Sequence, residues 1–289
     1  MKTTWTILIL VPFLLIISCE EEVPAEEMEN FIYPIAIGNS WEYSYEAKLY
    51  HFEEDSSGNH IYTDTLDFHS SNIDMSISGH VQLGDSISAY LMESNDSSST
   101  GEYLSQNYYA SLDSGLFLMG HGSVSGSVSM PKQSKTQVIC RGQLFSNVHD
   151  LIQIIQQQIP MSTAMQSDSI YGEGYPRKVL QYPLTVGDQW QYLPNDDPLK
   201  MHRLVEGFTS HMIGEVTFDC YQIDYIYDMD KDDQWDDDIL MSDLIAEIGL
   251  IKRTVFIGRV VGADENGFPN DNYYDYRNVQ ELTAYSLIE

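Results

Sequence analysis

From Trp41 to Glu46 the chain alternates: Trp41, Tyr43 and Tyr45 stand against Glu42, Ser44 and Glu46. A period of two marks a strand with one buried face, here an aromatic one. The alternation returns at Ile73, Met75 and Ile77 against Asp74, Ser76 and Ser78. It returns again at Tyr221, Ile223, Tyr225 and Tyr227 against polar or smaller residues, and Leu282 to Ile288 reads as a closing strand. One segment carries a helical period. In "SNVHDLIQIIQQQI", Asn147 is placed to cap a helix, Leu151, Ile154, Ile155 and Gln158 fall on one face, and Pro160 stops it. Tyrosine, serine and threonine are abundant and alanine is scarce, which suits sheet rather than helix.

The strands come in two sets. "YPIAIGNSWEY" from Tyr33 is answered by "YPLTVGDQWQY" from Tyr182, with tyrosine, proline, two aliphatics, glycine, Asn/Asp, tryptophan and tyrosine at the same offsets. Each phrase describes a strand entry, a tight turn and a strand, with Gly-Asn or Gly-Asp supplying the positive φ of the turn. Two further blocks match in the same order. "GDSISAYLMES" from Gly84 is matched by "GEVTFDCYQID" from Gly214, and "SGLFLMG" from Ser114 by "IGLIKRTVFIG" from Ile248. Matched blocks in a constant order predict a tandem duplication. The fold expected is mainly β: two duplicated, curved antiparallel β-sheet halves with a short helical connector. The predicted divisions are a first β-rich half over 31–145, a connector over 146–179 and a second half over 180–289.

The N-terminus changes what counts as the working protein. Lys2 followed by the apolar run Trp5 to Ile17 has the layout of a cleaved signal peptide over residues 1–18 and is short for a membrane span. "IISC" at Ile16–Cys19 resembles the lipobox of bacterial lipoproteins. The resemblance implies cleavage before Cys19, lipid on its sulfur and an acyl chain on its amine, and several chains together anchor firmly. Residues 19–30 then form a lipidated cysteine and a glutamate-rich tether with almost nothing to bury. An acidic run directly behind such a cysteine resembles the surface-export signal of some lipoproteins. The predicted location is therefore the outer membrane, facing either the periplasm or the cell surface.

The formal net charge is −30, and loss of Lys2 makes it one unit more acidic. Such a surface repels nucleic acid, so no nucleic-acid partner is expected. Outside the cytoplasm Cys140 and Cys220 are free to pair, although spacing alone leaves open whether they meet.

The repeated phrase, the Gly-acid strand and the Gly-Leu strand together resemble a group of uncharacterised two-repeat bacterial lipoproteins, whose signature is an aromatic-Pro-aliphatic start followed by Gly-Asn/Asp-x-Trp-x-Tyr. The resemblance spans most of the chain beyond Cys19 and implies no known activity. A more distant, fold-level similarity points to half-barrel lipoprotein carriers, which hold an acyl chain within a curved sheet.

Candidate chemistry is sparse. Ser57–His60 spells "SGNH" and Gly84–Ile87 spells "GDSI", both reminiscent of one hydrolase family, but no Asp-x-x-His supplies a base and both read as polar turns. Single histidines such as His80, His121 and His211 show no ligand spacing. No catalytic residue is expected, and the protein reads as a non-enzyme. Trp41 and Tyr43, with Trp190 and Tyr192, are candidates for gripping an apolar or glycan ligand, with core packing as the alternative. In "DMDKDDQWDDD", Asp228, Asp230 and Asp232 are spaced to converge on calcium, with Gln234 and Asp236 completing the set. The loop departs from an EF-hand at Asp233, where glycine is required, and at Ile239, where a glutamate closes the site. The function expected is a lipid-anchored envelope protein binding an apolar or glycan ligand in a cleft or curved sheet. The alternative is a structural or adhesive surface lipoprotein whose acidic, calcium-binding loops meet an envelope protein partner.

Overall fold

The computed structural model describes residues 30–83, 87–98, 101–124, 137–156, 171–193 and 199–288. Residues 1–29, with the signal segment, Cys19 and most of the acidic tether, lie outside them, as do Gly84–Ser86. The chain is mainly β, as its alternation predicts. Its strands are β1 (Ser40–Glu54), β2 (His60–Leu83), β3 (Ile87–Ser98), β4 (Gly101–Leu112), β5 (Gly115–Val124), β6 (Val138–Cys140) and β7 (Gln143–Phe145). After helix α1 (Val148–Ile155) come β8 (Tyr171–Gln181), β9 (Gln189–Gln191), β10 (Lys200–Ile213), β11 (Val216–Asp228), β12 (Ile239–Ala246), β13 (Gly249–Ala263) and β14 (Pro269–Ser286).

All pair antiparallel in a single sheet of order β8-β5-β4-β3-β2-β1-β14-β13-β12-β11-β10-β9, with the β6–β7 hairpin attached to β13. The order falls into two sixes. β1 to β5 and β8 run outward from one side of the β1–β14 junction, and β9 to β14 repeat that order on the other. The three matched sequence blocks occupy the first, third and fifth strand of each six. The sheet thus resumes at Tyr171, within the 146–179 segment expected to connect the halves, and α1 fills only part of it.

The repeated phrase makes the same turn twice. Gly38 (φ 98°) and Gly187 (φ 91°) hold the left-handed conformation that glycine tolerates. The Gly38 N–H donates to the Ile77 carbonyl, and the Ile77 N–H returns to Asn39. In the second copy the Gly187 N–H donates to Val205, and the Val205 N–H returns to Asp188. Each turn is thereby fastened to the second strand of its own six.

The β1–β14 junction is a full ladder running from Ser40↔Ser286 to Phe52↔Tyr273. At the other end of the order β8 and β9 make no ladder. The seam is bridged instead by side chains: Trp190 Nε1 donates to the Lys178 carbonyl at 2.9 Å, and an Arg203 Nη donates to the Val179 carbonyl. Val179 lies where the β5–β8 register shifts between Leu116↔Leu180 and Phe117↔Lys178, and such a bulge releases a residue from its ladder. The result is an almost closed barrel.

Helix α1 is capped as its sequence predicts, with Asn147 Oδ1 accepting the Asp150 N–H at 2.9 Å. Leu151, Ile152 and Ile155 enter an apolar cluster with Tyr227, Met241, Val255 and Ile257. A second cluster gathers Phe31, Tyr33, Trp41, Tyr43, Trp190, Ile223 and Ile251. Cys140 belongs to the first cluster and Cys220 to the second; both are free thiols, and burial pushes each up to about 12.

Candidate functional site: an interior cavity with a guanidinium pair

Residues from both apolar clusters line a cavity of about 400 Å³ inside the barrel, a size typical of small-molecule sites. Its wall changes character around the barrel. β2, β3, β4 and β5 supply His69, Ser94, Asp96, Ser105, Asn107 and His121 alongside Met75, Met92 and Leu118. The second six strands supply Met201, Met241, Ile245 and Leu250 together with Arg203, Tyr225, Asp243 and Arg253.

Strand register assembles those last four. Arg203 of β10 lies opposite Tyr225 of β11, and Asp243 of β12 lies opposite Arg253 of β13, which in turn faces Gln280 of β14. In each strand the ionisable residue is in phase with apolar ones: Met201 and Val205 flank Arg203, and Met241 and Ile245 flank Asp243. Period-two geometry therefore turns the charges inward.

Arg253 and Asp243 form a bidentate pair, with Nε to Oδ1 at 2.6 Å and Nη2 to Oδ2 at 2.7 Å. The Tyr225 hydroxyl closes the network, donating to Asp243 Oδ2 at 2.6 Å and accepting from Arg253 Nη2 at 3.2 Å. Burial by itself would lower the Arg253 pKa; the Asp243 charge outweighs it and the pKa rises. Arg253 keeps 32% of its side-chain surface free although protein surrounds it, so that surface faces the cavity. Burial raises the Tyr225 hydroxyl above its ordinary range and Tyr109, across the cavity, to about 12.

Arg203 is arranged differently. It is 4% exposed, and its guanidinium carbon lies 4.2 Å from the centroids of both Tyr192 and Tyr225. Among the described residues no carboxylate lies within 4.0 Å of it, and its Nε makes no hydrogen bond. Three other cavity-lining groups, Asp96 Oδ1, Asn278 Oδ1 and His149 Nε2, also make no hydrogen bond. On the opposite wall His69 Nε2 lies 3.6 Å from Asp96 Oδ1.

The structure divides the sequence-predicted aromatic residues. Trp41 and Tyr43 are core: the indole N–H donates to the Ile248 carbonyl at 2.6 Å and the Tyr43 hydroxyl to Leu250 at 3.1 Å. Trp190 is buried and fastens the seam. Only Tyr192 of the four reaches the cavity, joined there by Tyr33, Tyr45, Tyr109 and Tyr225. The Ser57–His60 stretch is the β1–β2 turn, with Asp55 Oδ1 accepting the N–H groups of Ser57 and Asn59.

The acidic loop joins β11 to β12. Asp228, Asp230 and Asp232 each bring a carboxylate oxygen within 4.8 Å of the others. Basic partners already hold both ends of the loop. Lys200 Nζ lies 3.2 Å from Asp228 and also pairs with Asp233, while Arg141, carried on the β6–β7 turn, reaches Asp236, Asp237 and Asp238. Asp236 lies outside that group and accepts the Met229 N–H at 2.9 Å; Gln234 is exposed, its N–H donating to Asp232. Burial raises the Asp236 pKa. For Asp228 burial opposes ionisation, but the Lys200 bond and charge outweigh it and lower the pKa.

No protein-family model and no curated relative matches the chain. Two solved structures show a similarity. One, from Bacteroides fragilis, is designated an exported protein with a YmcC-like fold; it is 10% identical, with a TM-score of 0.32 over 89% of this chain and 99% of that one. The other, from Parabacteroides distasonis, is designated a lipoprotein; it is 13% identical, with a TM-score of 0.27 over 89% and 99% of the two chains.

Proposed function

We propose that this is a non-enzymatic, lipid-anchored cell-envelope protein that holds a mainly apolar small ligand inside its barrel. The observation that carries the reading is the cavity of about 400 Å³, walled by methionine, leucine, isoleucine and tyrosine with a few convergent polar groups. Native mass spectrometry of gently purified protein tests it: a reproducible bound mass is expected. A clean unliganded mass, with no uptake of a neutral apolar dye, overturns it.

The anchor rests on the Ile16–Cys19 sequence, and the tandem duplication on the shared order of two six-strand sets with matched Gly38 and Gly187 turns. Cys19→Ser should release the protein from membranes after a salt wash; retention refutes lipidation. An outer-membrane position belongs to the same reading and is checked by separating the two membranes of the envelope.

The second reading is a structural or adhesive lipoprotein with calcium in the β11–β12 loop and an envelope protein partner. The convergence of Asp228, Asp230 and Asp232 favours it, while Lys200 competes for Asp228. Calorimetry in millimolar calcium decides: heat in the wild type that is lost with Asp230→Asn and Asp232→Asn supports the site, and no heat removes it.

A further inference from the structure

We infer that the cavity selects an anionic amphiphile, a carboxylate or similarly charged headgroup on an apolar body, and that Arg203 receives the charge. The inference rests on the ligand-binding reading above and names the ligand's class. Two guanidinium groups face the cavity from the second six strands, and one carboxylate, Asp243, answers them. Asp243 is committed: both its oxygens bond Arg253, and one also accepts from Tyr225. Arg253 is thereby neutralised, and one positive charge remains.

That charge is Arg203. A guanidinium does not lose its proton in a protein, and an unpaired charge in a protein interior is costly. The rings of Tyr192 and Tyr225, each with its centroid 4.2 Å from the guanidinium carbon, offset part of that cost. One edge is used by the Val179 carbonyl, and the Nε–H is aimed at no acceptor among the described residues. Asp96, the other carboxylate on the cavity wall, stands on the opposite side of the barrel, its Oδ1 3.6 Å from His69 Nε2 and without a hydrogen bond. A ligand anion supplies what the second half of the barrel lacks, and Met201, Met241, Ile245 and Leu250 beside it receive an apolar body. The protein's net charge of −30 opposes anions at long range, so this selection is a property of the cavity lining and not of the outer surface.

The test loads the purified protein with a neutral apolar dye and displaces it with decanoate, 1-decanol or decylammonium, three probes with the same chain and different heads. A charge-assisted hydrogen bond predicts that decanoate displaces the dye at a concentration about tenfold or more below that of 1-decanol, with decylammonium weakest. Arg203→Gln should erase the preference for decanoate and Arg203→Lys should keep part of it. Equal displacement by decanoate and 1-decanol in the wild type overturns the inference and leaves the cavity reading standing. Failure of the dye and all three probes to bind overturns both. A folded Arg203→Gln protein that still prefers decanoate removes Arg203 from the role. Should that variant not fold, the wild-type ranking of the three probes decides alone.

Discussion

The two six-strand sets share one order and treat their interiors in opposite ways. In β11, β12 and β13 buried apolar residues such as Tyr221, Ile223, Tyr227, Ile239, Ile251 and Ile257 surround the Tyr225, Asp243 and Arg253 that reach the cavity. In β3 and β4 few residues are fully buried, and Ser94, Asp96, Ser105 and Asn107 face open space. Both sets feed the core, but β11 to β13 are buried along most of their inward face, whereas β3 and β4 give the cavity much of its polar wall. A common strand order therefore does not imply a common division of labour. Turns and ladders fix the order, while the identity of inward side chains decides whether the space is filled or left open.

The comparison breaks most sharply at the buried charges. Asp243→Ala leaves Arg253 without its partner and should cost about 3–5 kcal/mol. Asp96→Ala on the opposite wall, where Asp96 is 29% exposed beside His69, should cost about 1 kcal/mol or less. Urea unfolding of both variants measures the difference, and equal losses would mean that the two walls are energetically alike.

Core truncation comes next. Ile223→Ala removes a fully buried side chain and should cost about 3 kcal/mol, whereas Leu118→Ala enlarges a space already present and should fall near the low end of the range, about 2 kcal/mol. The same urea titrations read both. An equal or larger loss for Leu118 would contradict the contrast between the packed β11 and the cavity-lining β5.

A smaller effect sharpens the parallel between the sets. Trp41 and Trp190 each donate an indole N–H to a backbone carbonyl, so Trp→Phe at either should cost about 1–2 kcal/mol through lost volume and an unanswered carbonyl. Thermal melts that separate the two variants widely would show that the matched residues carry unequal loads.

The smallest effect is a pH dependence. His149, on helix α1 ahead of β8 and lining the cavity, has a pKa lowered from 6.5, by burial first and also by His69. Above 6.5 neither the folded nor the unfolded state binds this proton. As pH falls below 6.5 the unfolded state takes it up first, so stability declines toward the folded pKa. His149→Leu should flatten the melting temperature between pH 7 and 5, and an unchanged slope would exclude His149 as its source.

Much of this was legible in the chain and some was not, for one physical reason. The Gly38 and Gly187 turns, the Asn147 cap and the strand phases depend on neighbours within a few residues, and a linear reading reaches them. The Arg203–Tyr225 and Asp243–Arg253 pairs depend on cross-strand register, which links positions 22 and 10 residues apart and is set by hairpins that do not announce their length. One signal was present. Arg203 and Asp243 each break an otherwise apolar phase, Met-x-Arg-x-Val and Met-x-Asp-x-Ile, and a charge in a buried phase marks a partner or a site. The aromatic candidates drew attention by repetition, but repetition reflects turn and core geometry, so three of the four became packing. The charges in the β11–β12 loop read as bare because Lys200 and Arg141, which answer them, arrive from the start of β10 and the β6–β7 turn.

The β8–β9 seam has a consequence of its own. A sheet whose ends do not pair leaves two strand edges, each a row of backbone donors and acceptors that another chain can claim. Here Trp190 and Arg203 occupy the carbonyls of Lys178 and Val179, so two side chains stand where a thirteenth strand would dock. Were they removed together, β8 of one molecule would be free to meet β9 of the next. That contact is head-to-tail, and head-to-tail contacts that do not close into a ring grow into fibres. The two side chains that finish the barrel also cap backbone acceptors at the edge where another chain would add a strand.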